Sequence, residues 1–149
     1  MYEKSIDVDD LPEDPELRVF FEEAAYLTPI DRSLIASVFA SIQERYGNED
    51  SSRYRPYHNH QHALQVMQRA HRICSAFSEA FPLEFDTTLA RCLIIAAAWH
   101  DFEQMSSDNE WESAVRAGVS MRELGGYDAD SEIASVQEGI LAGYNCFLE

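Results

Sequence analysis

Apolar residues recur at three- and four-residue intervals along most of this chain, and no segment alternates as a strand does. In "TPIDRSLIASVFASIQERYGN" (28–48), Leu34, Ile35, Val38, Phe39 and Ile42 follow the helical period, and Gly47 stops it. The preceding "DPELRVFFEEAAYL" (14–27) opens with Pro15 after Asp14, a favourable helix start. A third helix is predicted from near Tyr57 to about Phe81, with Ala63, Val66, Met67, Ala70, Ile73, Cys74 and Phe77 in one stripe. Pro82 ends it, and Asp86 or Thr87 can cap a fourth helix over 87–102. That helix carries "CLIIAAAW" (92–99) and is apolar nearly all round, which places it at the centre of a bundle. After the loop "MSSDN" (105–109), a fifth helix covers 109–124, "GGY" (125–127) breaks it, and a sixth covers 130–145. The expected fold is all-α, an irregular bundle of six helices in a single domain over 1–149, with a loose acidic stretch at 1–14.

Composition narrows the function. At 149 residues and 46% apolar, the chain can bury a real core. Its net charge of −16, from 11 basic and 27 acidic residues, argues against a nucleic-acid polymer or an anionic membrane surface as partner. Lys4 is the only lysine, and Arg53, Arg55, Arg69 and Arg72 group near a histidine cluster. No apolar run approaches the roughly 18 residues of a membrane span. "MYEKSIDVDD" lacks the basic and apolar regions of a signal peptide. Cys74, Cys92 and Cys146 are odd in number and widely spaced, so free thiols in a reducing cytoplasm are expected. A homo-oligomer is compatible with all of this.

Three of the five histidines fall in "RPYHNHQHALQV" (55–66). On a helix at about 100° per residue, His58 and His62 share a face, Arg69 returns to it, and His60 and His71 point elsewhere. Such a stripe can simply be solvated. A second signal changes the balance: "AAAWHDFEQ" (96–104) ends the apolar fourth helix with His100 and Asp101. An imidazole beside a carboxylate at the end of a buried helix is costly unless the two are paired or bind metal. His62, His100 and Asp101 can supply three ligands to one divalent ion and leave positions open for water and substrate, the layout of a catalytic site.

The doublet at the end of an apolar helix, with a histidine on an earlier one, resembles the HD-domain superfamily of metal-dependent phosphohydrolases. Tyr46 with "RPYHNHQH" (55–62) is similar to the Y…RxYHxxxH motif of a bacterial group of predicted HD phosphohydrolases, and "NEWESA" (109–114) to that group's NExxSA motif. "YHNHQHALQV" (57–66) also resembles the YHNxxHAxxV motif of cyclic nucleotide phosphodiesterases, a branch of the same superfamily. The resemblance implies that His62, His100 and Asp101 are metal ligands and that His58 protonates the leaving oxygen. It implies that Glu110 orients water or a ligand. Arg55 and Arg69 could hold the substrate phosphate, since guanidinium pairs bidentately with phosphate oxygens; a surface ion pair is the plainer role for each. His60 and His71 match no role and are expected at the surface or in packing.

The sequence departs from the pattern twice. Gln104 stands where the phosphodiesterase branch has a further histidine, so one metal is expected rather than two. The superfamily also completes its site with an Asp from a later helix, and none is well placed here. Asp128 and Asp130 sit in a turn, Glu138 on the sixth helix is the internal substitute, and a C-terminally shortened family member is the other explanation. The leading expectation is hydrolysis of a phosphate ester of a nucleotide or similar small molecule by metal-activated water. The alternative is a catalytically impaired HD-fold protein that binds a ligand or partner.

Overall fold

The computed structural model describes residues 14–105 and 108–142, and the segment at 1–13, Cys146 and the end of the sixth helix lie outside the described residues. Asp14 caps α1 (Pro15–Glu23) by accepting the N–H groups of Glu16 and Leu17, both at 3.0 Å. Thr28 and Asp31 form a reciprocal capping box at the start of α2 (Pro29–Tyr46). There follow α3 (His60–Ala80), α4 (Thr87–Trp99) and α5 (Asn109–Leu124). Gly125 and Gly126 end α5 with φ of 74° and 82°, angles that favour glycine. A π-helical turn (Ala129–Ile133) then runs into α6 (Ala134–Leu141). No strand occurs among the described residues.

The all-apolar α4 is the centre of this bundle, in contact with α2, α3, α5, α6 and the π turn. Ala90, Cys92 and the run 94–99 are buried, which an all-round apolar helix requires. Around it pack Leu34, Ile35 and Val38 of α2, Val66, Met67 and Ala70 of α3, and Val136 and Ile140 of α6. The α3 stripe does not stay buried along its length. Ile73 and Phe77 are 49% and 43% exposed, because the 21-residue α3 outruns the 13-residue α4. At 1.5 Å per residue the lengths are about 30 Å and about 20 Å, so the last turns of α3 have less to cover them.

One polar group lies deep in the core. The Asp31 carboxylate is fully buried and accepts from Arg91 Nε at 2.6 Å and Nη2 at 3.1 Å. It also accepts the Tyr127 hydroxyl at 2.8 Å and the Thr28 N–H at 2.9 Å. Arg91 Nη1 reaches on to Glu132 at 3.0 Å. Burial pushes the Asp31 carboxyl up, but these donors, Arg91 foremost, hold it below the usual carboxylate range. The network ties the start of α2 to α4 and to the π turn.

His60 and His71 both serve packing. His71 Nδ1 shares a 2.9 Å hydrogen bond with the Tyr26 hydroxyl, and its ring stands edge-on to Phe20. His60 is buried edge-on against Phe39 and lies over Gly47, where a Cβ would come within 2.6 Å of its Nδ1. Glycine ends α2 here for room rather than for a left-handed backbone, since its φ is −98°. Burial pushes the His60 imidazole below its ordinary value of 6.5. A group whose folded-state pKa is depressed stabilises the fold above its unfolded value and loses that contribution as pH falls through it. Wild type is therefore expected to lose stability relative to His60→Leu as urea melts move from pH 7.5 down to about 5; parallel pH dependences for the two proteins would contradict this.

Candidate metal centre

The centre forms where the segment before α3 meets the end of α4. Asn59 caps α3: its side chain accepts the Gln61 N–H at 3.0 Å and donates to the Arg55 carbonyl at 2.9 Å. His58 therefore lies just outside the helix, not on the face it was expected to share with His62. The α4 helix ends at Trp99, so His100 caps it and Asp101 falls in the following turn. The Gln104 amide donates to the His58 carbonyl at 2.6 Å and to the Asp101 carbonyl at 3.0 Å, holding the two segments together. The buried Tyr46 hydroxyl donates to the Phe102 carbonyl at 2.9 Å and accepts the Gln104 N–H at 3.2 Å. Ser113, from the α5 motif, accepts the Glu103 N–H at 3.0 Å.

Asp101 is the hub. Its Oδ2 lies 2.8 Å from His58 Nδ1, 3.3 Å from His100 Nε2 and 3.6 Å from His62 Nε2. Donor atoms of His58, His62 and Asp101 all fall within 4.8 Å of one another, a group able to hold a metal ion. A carbonyl can only accept, so the 2.7 Å contact from His100 Nδ1 to the Ala97 carbonyl places the proton on Nδ1. That leaves the Nε2 lone pair directed toward Asp101, as the outer hydrogen bond of a ligating histidine does. His62 and His100 form a buried floor, with side chains 1% and 3% exposed, while His58 at 45% forms an open rim. The exposed Tyr57 ring lies 4.8 Å from both the His58 and His62 rings. Burial pushes the Asp101 carboxyl up, but His100 and His58 overcome it and hold it at about 2. A carboxylate that remains ionised among three imidazoles suits a borderline divalent cation.

The other expected site residues lie elsewhere. Arg55 turns its guanidinium to the Met105 sulfur at 3.2 Å. Arg69 lies two turns beyond His62 on α3, half-buried. Glu110 is exposed in the first turn of α5 and takes no part in the bonds around Asp101. Glu138 is exposed and two residues from both Val136 and Ile140, whose side chains face the core, so it points away from the interior. Asp128 accepts the Ser131 N–H at 2.8 Å and caps the π turn; Asp130 is exposed. Roles for Tyr46, Gln104 and Ser113 in holding the turn were not legible from pattern. Tyr46 and Ser113 were marked only as motif positions, and Gln104 as a missing histidine.

What the fold and the site define is a class: a helical bundle with a candidate metal centre of three histidines and one aspartate. No helix among the described residues is long and apolar enough to cross a membrane. No protein-family model, curated protein or solved structure matches the chain.

Proposed function

We propose that this chain is a metal-dependent hydrolase of a small phosphate ester, such as that of a nucleotide, with His62, His100 and Asp101 holding one divalent ion. The observation that supports it is the single Asp101 oxygen set against three imidazoles, two of them buried. A divalent ion there supplies Lewis acidity and lowers the pKa of a bound water. The chain's own residues set the rest. Asp101 offsets the positive charge, and the Ala97 carbonyl fixes the His100 ring. An ionised Asp101 only accepts, so His58 carries its proton on Nδ1 and presents Nε2 as the nitrogen that can pass a proton to a leaving oxygen. At the open rim, His58 is the imidazole that substrate can reach.

His58 also belongs to the group whose donor atoms are mutually closest, which makes it a rival ligand. His58→Ala separates the two roles. As a general acid, its loss is expected to cut phosphodiester or aryl phosphate turnover by about 10²–10⁴-fold with metal content unchanged. Metal loss equal to that of His62→Ala would make it a ligand instead.

A second reading, a binding protein with an impaired site, draws on the outward-facing Glu138. A stoichiometric divalent ion by elemental analysis of protein purified without chelator, together with hydrolysis of bis-aryl phosphate, favours the hydrolase. Metal without turnover favours the binder.

A further inference from the structure

Beside the turn that follows Asp101 lie two adjoining cavities of about 530 and 470 Å³, sharing Ser41, Phe102 and Arg116 in their walls. None of His58, His62, His100 or Asp101 lines either one. The first is walled by Arg45, Arg53 and Arg116 with Ser41, Ser51 and Ser52; Glu44 is the acid among its lining residues. The second turns apolar, with Leu34, Val38 and Trp99 beside the shared Phe102. Phe102 packs against Trp99 at 4.8 Å between ring centroids and under the Arg45 guanidinium at 4.7 Å.

The arginines are the unusual feature. The chain has 27 acidic residues against 11 basic ones, so an arginine seldom lacks a carboxylate nearby. The guanidinium groups of Arg53 and Arg116 nevertheless make no hydrogen bond or ion pair among the described residues, and Arg45 reaches Glu103 only at 3.8 Å. Three cations and three hydroxyls around one cavity match the donor needs of a phosphate group. The adjoining apolar wall suits a flat ring.

We propose that this groove binds a small molecule with a phosphate head and a flat apolar body, at a site separate from the metal centre. The head sits among Arg45, Arg53, Arg116 and the serine hydroxyls, and the body lies along Phe102, Leu34 and Val38. Because Phe102 follows Asp101 directly, an occupant would bear on the same turn that carries the metal-centre carboxylate. The proposal does not rest on the hydrolase reading, and the two can fail independently.

Calorimetry on the intact chain, passed over a chelating resin, tests it with phenylphosphonate, whose C–P bond phosphoester hydrolysis does not cleave. Inorganic phosphate serves as the head alone. Phenylphosphonate is expected to bind, about tenfold more tightly than phosphate because it also buries a ring. Arg53→Gln with Arg116→Gln should weaken it by at least about tenfold, while His58→Ala binds as wild type does. Both arginines are exposed, and Arg116→Gln alone is the milder variant, with a smaller loss in the same direction. No binding, binding that survives the double variant, or binding lost in His58→Ala would each overturn the proposal.

Discussion

Asp101→Asn is expected to strip the chain of its divalent ion while leaving the bundle folded. The substitution keeps the shape of the side chain and removes the one anion in a cluster of imidazoles. That anion contacts His58, His62 and His100 through a single oxygen, so its loss removes a ligand and the group that orients the other three. Outer-shell substitutions at metal sites typically cost about 10–100-fold in affinity, and loss of a direct anionic ligand should exceed that range. The carboxyl is held at about 2, so acid release of metal from wild type should begin well above the pH at which Asp101 itself is protonated. The measurements are metal content by elemental analysis, affinity by competitive titration, and helicity by far-UV circular dichroism. An Asp101→Asn protein that retains one tightly held ion per chain would place the metal elsewhere and remove the basis for the proposed hydrolysis.

Asp31→Ala is expected to cost about 3 kcal/mol of stability, at the low end for breaking a buried ion pair. The low end applies because Arg91 is left with Glu132 at 3.0 Å and is not wholly stranded. Tyr127 and the Thr28 N–H lose their acceptor at the same time. Urea melts read the loss, and a shift of the midpoint under about 1 kcal/mol would show that the network contributes little. The pH dependence carries its own sign. The Asp31 carboxyl is lowered from 3.8, so its contribution is present above that value and fades as pH falls below it. Wild type and variant should converge in strong acid. Replacing the pair together, as Asp31→Leu with Arg91→Met, should recover much of the loss, because no charge is then left buried without its partner.

The helices themselves were legible because their cause is local. The run 109–124 matches α5 at both ends, since Gly125 and Gly126 supply a stop that depends on backbone alone. The all-round apolar character of 92–99 likewise carried its own consequence, burial at the centre. The start of α3 was placed three residues early, near Tyr57 rather than at His60. Asn59 takes the cap by holding both the Gln61 N–H and the Arg55 carbonyl, a choice between neighbours that periodicity does not register. Ile73 and Phe77 carried the helical pattern but not the burial, because the length of a partner helix is not written in a stripe.

By itself, then, the sequence determined that this is an all-α chain, where most of its helices lie, and that His58, His62, His100 and Asp101 were worth considering together. Hydrophobic period, capping residues and glycine stops act within a few positions of one another, so a linear reading reaches them. Only the tertiary structure decided that one Asp101 oxygen faces three imidazoles, that Gln104 and Tyr46 hold the turn, and that Glu138 faces outward. It also decided that Asp31 and Arg91, 60 positions apart, meet in the core, and that Arg45, Arg53 and Arg116 surround one cavity. These are contacts between distant segments, set by how helices of unequal length pack around α4, and no pattern within a single helix encodes them.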